Sequence, residues 1–213
     1  MKKLVVLALL LLVTVGAFAL DKAVGGGILY NNAQTLLHES GSKFNYTYES
    51  DYTLTRNGFG AFGFFGIGRM WELNLGILYK NPQTAKYKYK TSNGYTESGT
   101  ESVSDWLDST AALQLGIYWK YPIPVSDMLV FFPTIGADME LTLDGDPQED
   151  GLEWWNDFWL RGGVGLDVFL TERLFLRGHF IYGAAIPFGG DVKPMELKLG
   201  HGLLIKLGLG FML

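Results

Sequence analysis

The sequence predicts an all-β protein, an eight-stranded antiparallel up-and-down transmembrane β-barrel with short turns at one end and long loops at the other. Three observations carry this. Segments of about ten residues alternate between an apolar and a polar or glycine face. No apolar run after residue 19 approaches the roughly 20 residues that a membrane-spanning helix needs. Glycine (28 residues) and aromatics (15%) are abundant, as short strands with tight packing require.

The chain opens Met1-Lys2-Lys3, runs apolar from Leu4 to Val15 and reaches Ala17-Phe18-Ala19. A basic start, a short apolar core and a small-x-small site read as a cleaved secretory signal peptide over 1–19, with a single barrel domain over 20–213. An uncleaved anchor is the alternative. Loss of Lys2 and Lys3 takes the formal charge from −5 to −7. That acidity gives no electrostatic basis for nucleic-acid binding. The chain has no cysteine, which excludes disulfides, thiolate metal sites and a lipoprotein lipid anchor.

The strands follow in order. Ala23–Asn31 places Val24, Ile28 and Tyr30 on one face, and Asn57–Gly68 sets Phe62 and Phe64 against Phe59, Phe65 and Ile67. Trp71, Leu73, Leu75, Ile77 and Tyr79 alternate with Glu72, Asn74 and Gly76. Leu113, Leu115, Ile117 and Trp119 alternate with Gln114, Gly116 and Lys120. Leu129, Phe131, Ile135 and Met139 alternate with Thr134, Gly136, Asp138 and Glu140, and Pro133 marks a bulge there. Leu160, Val164 and Leu166 alternate with Arg161, Gly163 and Asp167. Leu174, Leu176, Phe180 and Tyr182 alternate with Phe175, Arg177 and His179. Leu203 to Leu213 is apolar at every odd position, against Lys206, Gly208 and Gly210. Connections alternate between short (Gly68-Arg69, Tyr121–Asp127, Thr171–Arg173) and long (about 32–55, 81–108, 142–157 and 185–196), as in membrane barrels. The last strand should pair with the first and close the ring.

Apolar faces outward and charges inward make the lumen polar. The expected lumen charges are Glu72, Lys120, Asp138, Glu140, Arg161, Asp167, Arg177 and Lys206, with Asp167 across from Arg177 and Asp138 across from Arg161. A salt-bridged plug and a gated conduit both fit this set. Trp71, Trp119 and Tyr121 near the short turns, and Tyr30, Tyr79 and Tyr182 near the long loops, suit the two membrane interfaces. A soluble lipocalin-like barrel would have to turn these apolar faces into a lumen too small to hold them.

The closing octet Lys206-Leu207-Gly208-Leu209-Gly210-Phe211-Met212-Leu213 resembles the C-terminal signal of outer-membrane barrels: polar, any, glycine, any, any, apolar, any, apolar. Lys206, Gly208, Phe211 and Leu213 fill its slots, although such proteins usually end in Phe or Trp. With eight strands, the chain looks like the small OmpA/OmpX/OmpW-type barrels. The resemblance implies insertion by the barrel assembly machinery, contact with outer-membrane lipids, and a structural, surface-exposed or narrow-pore role. It brings no cofactor.

In the loops, Lys86-Tyr87-Lys88-Tyr89-Lys90 before Asn93-Gly94 predicts a raised hairpin with a type I′ turn. Phe44, Tyr46 and Tyr48 suggest a similar extension in the first loop. Loops 32–55 and 81–108 are therefore candidate surfaces for extracellular proteins by strand addition. Asp144, Asp146, Glu149, Asp150, Glu153 and Asp157 make the third loop acidic. Their spacing fits no EF-hand, so Trp154 and Trp155 resting on the membrane interface is the simpler reading, and no metal ligand is assigned. A Ca²⁺ held by these carboxylates or bridged to lipid phosphates is the alternative. Three histidines (His38, His179, His201) form no recognisable Ser–His–acid set, so a lipid-modifying enzyme ranks last.

Overall fold

A computed structural model describes residues 22–43, 46–102, 109–143, 156–188, 195–197 and 199–213. Residues 1–19, where a signal peptide is expected, Phe44 and most of the acidic loop, including Trp154 and Trp155, lie outside these residues. The described chain forms eleven strands: β1 (Lys22–Lys43), β2 (Tyr46–Ile67), β3 (Trp71–Thr91), β4 (Thr96–Ser102), β5 (Thr110–Lys120), β6 (Ile123–Ser126), β7 (Leu129–Thr142), β8 (Asn156–Phe169), β9 (Leu174–Phe188), β10 (Met195–Leu197) and β11 (Gly200–Met212). Eight of them close an antiparallel ring in the order β1-β2-β3-β5-β7-β8-β9-β11 and back to β1. The seam runs from Ala23 against Met212 to Gln34 against His201. Closure gives each of the eight ring strands a hydrogen-bonded neighbour on both sides, which a lipid-exposed sheet requires.

The alternation sets the wall's two faces. Ile28, Phe59, Ile77, Ile135, Leu160, Phe180 and Leu207 are exposed on the outside. Along β9 the outward apolar face runs from Leu174 to Ile186. Twelve steps of about 3.3 Å, tilted by about 45°, project to roughly 28 Å, close to the ~25 Å apolar band of such barrels.

The first three strands are far longer than a span needs. β1 and β2 have 22 residues each and stay paired from Lys22–Ile67 to Lys43–Tyr46. Most of the expected loops 32–55 and 81–108 is therefore strand. These extensions, with β4 on β3 and β10 on β1, form a raised sheet over part of the mouth. The raised hairpin is present, but its turn is not type I′. Ser92–Gly94 form a three-residue loop in which the Gly94 amide donates to Thr91 O at 3.1 Å and Gly94 has φ 87°. Lys90 pairs with Thr96, which leaves one residue too many for a two-residue turn.

Two further expectations are corrected. The connection 121–127 is not a plain turn, because β6 pairs with β7 and prolongs β5 across a break at Tyr121-Pro122. Pro133 marks no bulge: it pairs in register with Val164, and its carbonyl accepts from the Tyr121 amide. Its missing donor faces the Tyr121-Pro122 break, where the ladder is already interrupted. The register shifts lie at Thr55/Arg56 against β3 and at Pro124/Ser126 against β7.

Close strand approach at the seam depends on Gly27. A Cβ there would lie 2.0 Å from Leu207 O and 2.4 Å from the Gly208 Cα, both backbone atoms that cannot swing aside. Gly27→Ala is expected to cost about 1–3 kcal/mol in urea unfolding from lipid vesicles. Gly162→Ala, whose new methyl would meet nothing nearer than Thr134 O at 3.9 Å, should stay within about 0.5 kcal/mol of the unmodified chain.

Candidate functional site: the charged lumen

The inward face packs a lumen in three levels. At the turn end an aromatic floor joins Phe64, Phe169 and Phe175, with Phe175 5.3 Å from Phe169 and 6.2 Å from Phe64 between ring centroids. The floor rings lie flat where glycine removes the opposing Cβ. A methyl at Gly210 would come within 2.2 Å of the Phe175 ring.

Above the floor lies a first tier of charge around Glu72. Lys120 Nζ donates to Glu72 Oε2 at 2.7 Å, Arg177 Nη1 donates to the same oxygen, and Asn74 Nδ2 donates to Oε1 at 3.0 Å. Arg177 also forks onto Asp167, Nε to Oδ1 at 2.6 Å and Nη2 to Oδ2 at 2.5 Å. These two residues are direct cross-strand partners. Lys206 Nζ donates to Asn74 Oδ1 at 3.1 Å and sits 4.7 Å from the Tyr118 ring centre. The Tyr118 hydroxyl donates to Asp138, which joins this tier to the next.

The second tier centres on Glu140. Arg161 Nη2 lies 3.0 Å from Glu140 Oε1 and Lys80 Nζ lies 2.7 Å from Oε2. Arg161 Nε lies 2.6 Å from Asp138 Oδ2. Asp138 is opposite Trp159 rather than Arg161, because β7 and β8 are offset by two residues from a symmetric loop. The long guanidinium spans that diagonal. Its Cζ also lies 4.0 Å from the Trp159 ring centre. At the top, Asp157 takes Lys80 and Arg56, each at 3.3 Å, and Arg56 Nη2 donates to Thr35 Oγ1 at 3.1 Å.

All eight charges expected in the lumen are buried there, and sequence reasoning missed three others. Asp157 had been grouped with the acidic loop; it is buried in β8. Lys80 lies one residue past the expected strand end at Tyr79, and Arg56 lies one residue before the expected strand Asn57–Gly68. Parity could have found them, since Lys80 continues Glu72-Asn74-Gly76-Leu78, and Asp157 shares the parity of Arg161 and Asp167. Among the described residues, buried acids (Glu72, Asp138, Glu140, Asp157, Asp167) and buried bases (Lys80, Lys120, Arg161, Arg177, Lys206) match five to five. Pairing of that kind is what burial of charge demands.

The remaining candidates are placed as follows. Trp71 faces Trp119 in register near the short turns, and Trp119 stands 6.2 Å from Tyr121. Tyr30 lies 4.9 Å from Phe59 and donates to Asn57 at 3.0 Å. Tyr79 and Tyr182 are exposed on the outer face. Of the closing octet, Lys206 points inward, while Phe211 and Leu213 point outward. His38 bonds Asp51 at 2.7 Å and His201 bonds Tyr182 at 2.8 Å. His179 is buried edge-on to Phe132, with neither ring nitrogen hydrogen-bonded. No cluster of His, Asp or Glu among the described residues is arranged to hold a metal ion.

No protein-family model and no curated protein matches the chain. Among solved structures, the outer membrane protein OprG from Pseudomonas aeruginosa is similar at TM-score 0.46 and 15% identity, over 93% of this chain and 98% of that one. Outer membrane protein AlkL in lipid bilayers follows at TM-score 0.45 and 12% identity, over 92% of each chain. Ail, the attachment invasion locus protein of Yersinia pestis, gives TM-score 0.31 and 10% identity, over 89% of this chain and 98% of that one. At these scores and identities no residue's role carries over from any of them.

Glu72 compensates two buried cations at once. Glu72→Ala should destabilise the folded barrel by about 3–5 kcal/mol, read by tryptophan fluorescence during urea unfolding. Adding Lys120→Met should recover part of the loss, because one of the stranded cations is then removed.

Proposed function

We propose that the chain is an integral outer-membrane barrel with a closed lumen, structural in its wall and surface-exposed in its raised sheet. The observation that carries this is the pairing of a wholly apolar outer band with a lumen blocked by an aromatic floor and two tiers of ion pairs. The charged network then acts as a plug that fixes the barrel's cross-section. In this reading residues 1–19 direct export. Trp71, Trp119, Tyr121, Tyr30, Tyr79 and Tyr182 sit at the two lipid interfaces, and Lys206, Gly208, Phe211 and Leu213 present the closing strand to the assembly machinery. The raised β1–β4 sheet, with β4 as an edge strand, is the surface offered to extracellular proteins. The role is not enzymatic.

A narrow pore for small or hydrophobic solutes is the second reading. Its support is unfilled hydrogen-bonding capacity in the upper tier: Asn31 Oδ1, Gln114 Oε1, Asp138 Oδ1 and Asp157 Oδ1 are buried without a hydrogen-bond partner. Polar atoms of this kind line a conducting path more readily than a dry plug.

Two measurements test the proposal. After alkaline carbonate washing the protein should stay with the membrane pellet, and release without detergent would defeat the membrane assignment. In planar bilayers the purified protein should show no discrete conductance steps. Reproducible steps that change on Arg161→Ala would replace the plug with the pore.

A further inference from the structure

The raised part of β1–β4 has two unlike faces. Lys86, Lys88 and Lys90 are exposed on the outer one, in register with Thr53, Asp51 and Glu49. Tyr48, Tyr87 and Tyr89 are half-buried on the inner one, above the barrel mouth. There Tyr48 stacks on Tyr89 with centroids 5.9 Å apart and planes 28° apart, and Tyr95 meets Tyr89 edge-on at 6.4 Å.

Carboxylates bracket this row. Tyr48 Oη donates to Glu39 at 2.9 Å, and Tyr95 Oη donates to Glu97 at 2.9 Å. These bonds hold both phenols above their ordinary pKa range, the carboxylate acceptor being the largest cause in each case. Glycine shapes the surface. A Cβ at Gly41 would lie 2.8 Å from the Tyr48 ring, so that ring lies down on the β1 backbone and turns a face away from the sheet. Gly99 does the same beneath Tyr87.

We propose that this tyrosine platform, bracketed by Glu39 and Glu97, binds organic cations: ammonium groups that carry an apolar body. The face of an aromatic ring is electrostatically negative and attracts a cation, and more so when the cation is weakly hydrated. The two carboxylates add charge of the same sign at the rim. The lysines of the raised hairpin point to the opposite face, where they do not compete. A neutral ligand would meet the same rings without the electrostatic gain, so charge complementarity selects the occupant. The site is independent of whether the lumen below is plugged or conducting.

The test is calorimetric titration of the full chain in uncharged maltoside micelles with choline, beside dimethylbutanol, its neutral isostere. Choline should bind saturably and at least about fivefold more tightly than the isostere. Tyr89→Leu and Glu97→Gln should each weaken choline several-fold, whereas Lys88→Gln, on the opposite face of the same strand as Tyr89, should not. Heat-modifiable gel mobility checks that each variant is folded, and Tyr48→Leu replaces Tyr89→Leu should that variant fail. Equal affinity for choline and its isostere, absence of saturable choline binding, or an equal loss in Lys88→Gln would overturn the site.

Discussion

Closure of the backbone ladder is the constraint from which the rest of this structure follows. A sheet in lipid has no water to satisfy an open edge, so the first and last strands of the ring must find each other. They do so over twelve consecutive pairs, from Ala23 against Met212 to Gln34 against His201. Once an eight-stranded ring is closed, its interior is only wide enough for side chains. Every inward residue then has to fit its opposite neighbours in volume and in charge. The flat rings over Gly25, Gly165 and Gly210 answer the first demand. The shared carboxylates of Glu72 and Glu140 answer the second.

The two charge tiers are not equivalent. Around Glu72 the hydrogen bonds are short and the geometry is forked, as in Arg177 against Asp167. Around Glu140 and Asp157 several contacts are longer, at 3.3 to 3.4 Å, and polar atoms are left without partners. The lumen therefore tightens towards the turns and loosens towards the mouth. Above the mouth the same strands change chemistry without a break. An inward row that is charged inside the ring becomes tyrosine and serine once β1, β2 and β3 rise clear of it.

Architecture was legible in the sequence because period two is a property of single segments. The outer faces of β3, β5, β8, β9 and β11 could be listed from parity alone, and so could most of the lumen charges. What escaped detection depended on where strands stop. Polar residues after Asn31 and Tyr79 look like loop, since nothing local distinguishes a solvated strand from a coil. Arg56, Lys80 and Asp157 were lost with those boundaries. The extra residue Gln83 on β3, opposite Thr55/Arg56, also moves inward parity from even to odd along β3, which brings Tyr87 and Tyr89 onto the inner face. No single-segment pattern reveals that slip. The two-residue offset between β7 and β8 likewise depends on the loop between them, whose symmetry no local pattern fixes.

The Ala23–Met212 pairing also fixes an order of events. Neighbouring strands such as β8 and β9 meet across a short turn and can form as soon as both exist. The seam joins residues almost the whole chain apart, and topology of that kind folds slowly. Until Leu213 has been made and delivered, β1 carries an unsatisfied edge with a row of exposed apolar side chains. That edge is a template for pairing with the wrong chain. A chain that lacks part of β11 therefore leaves that edge open, and such a truncation would make it an aggregation hazard rather than a slightly weaker barrel.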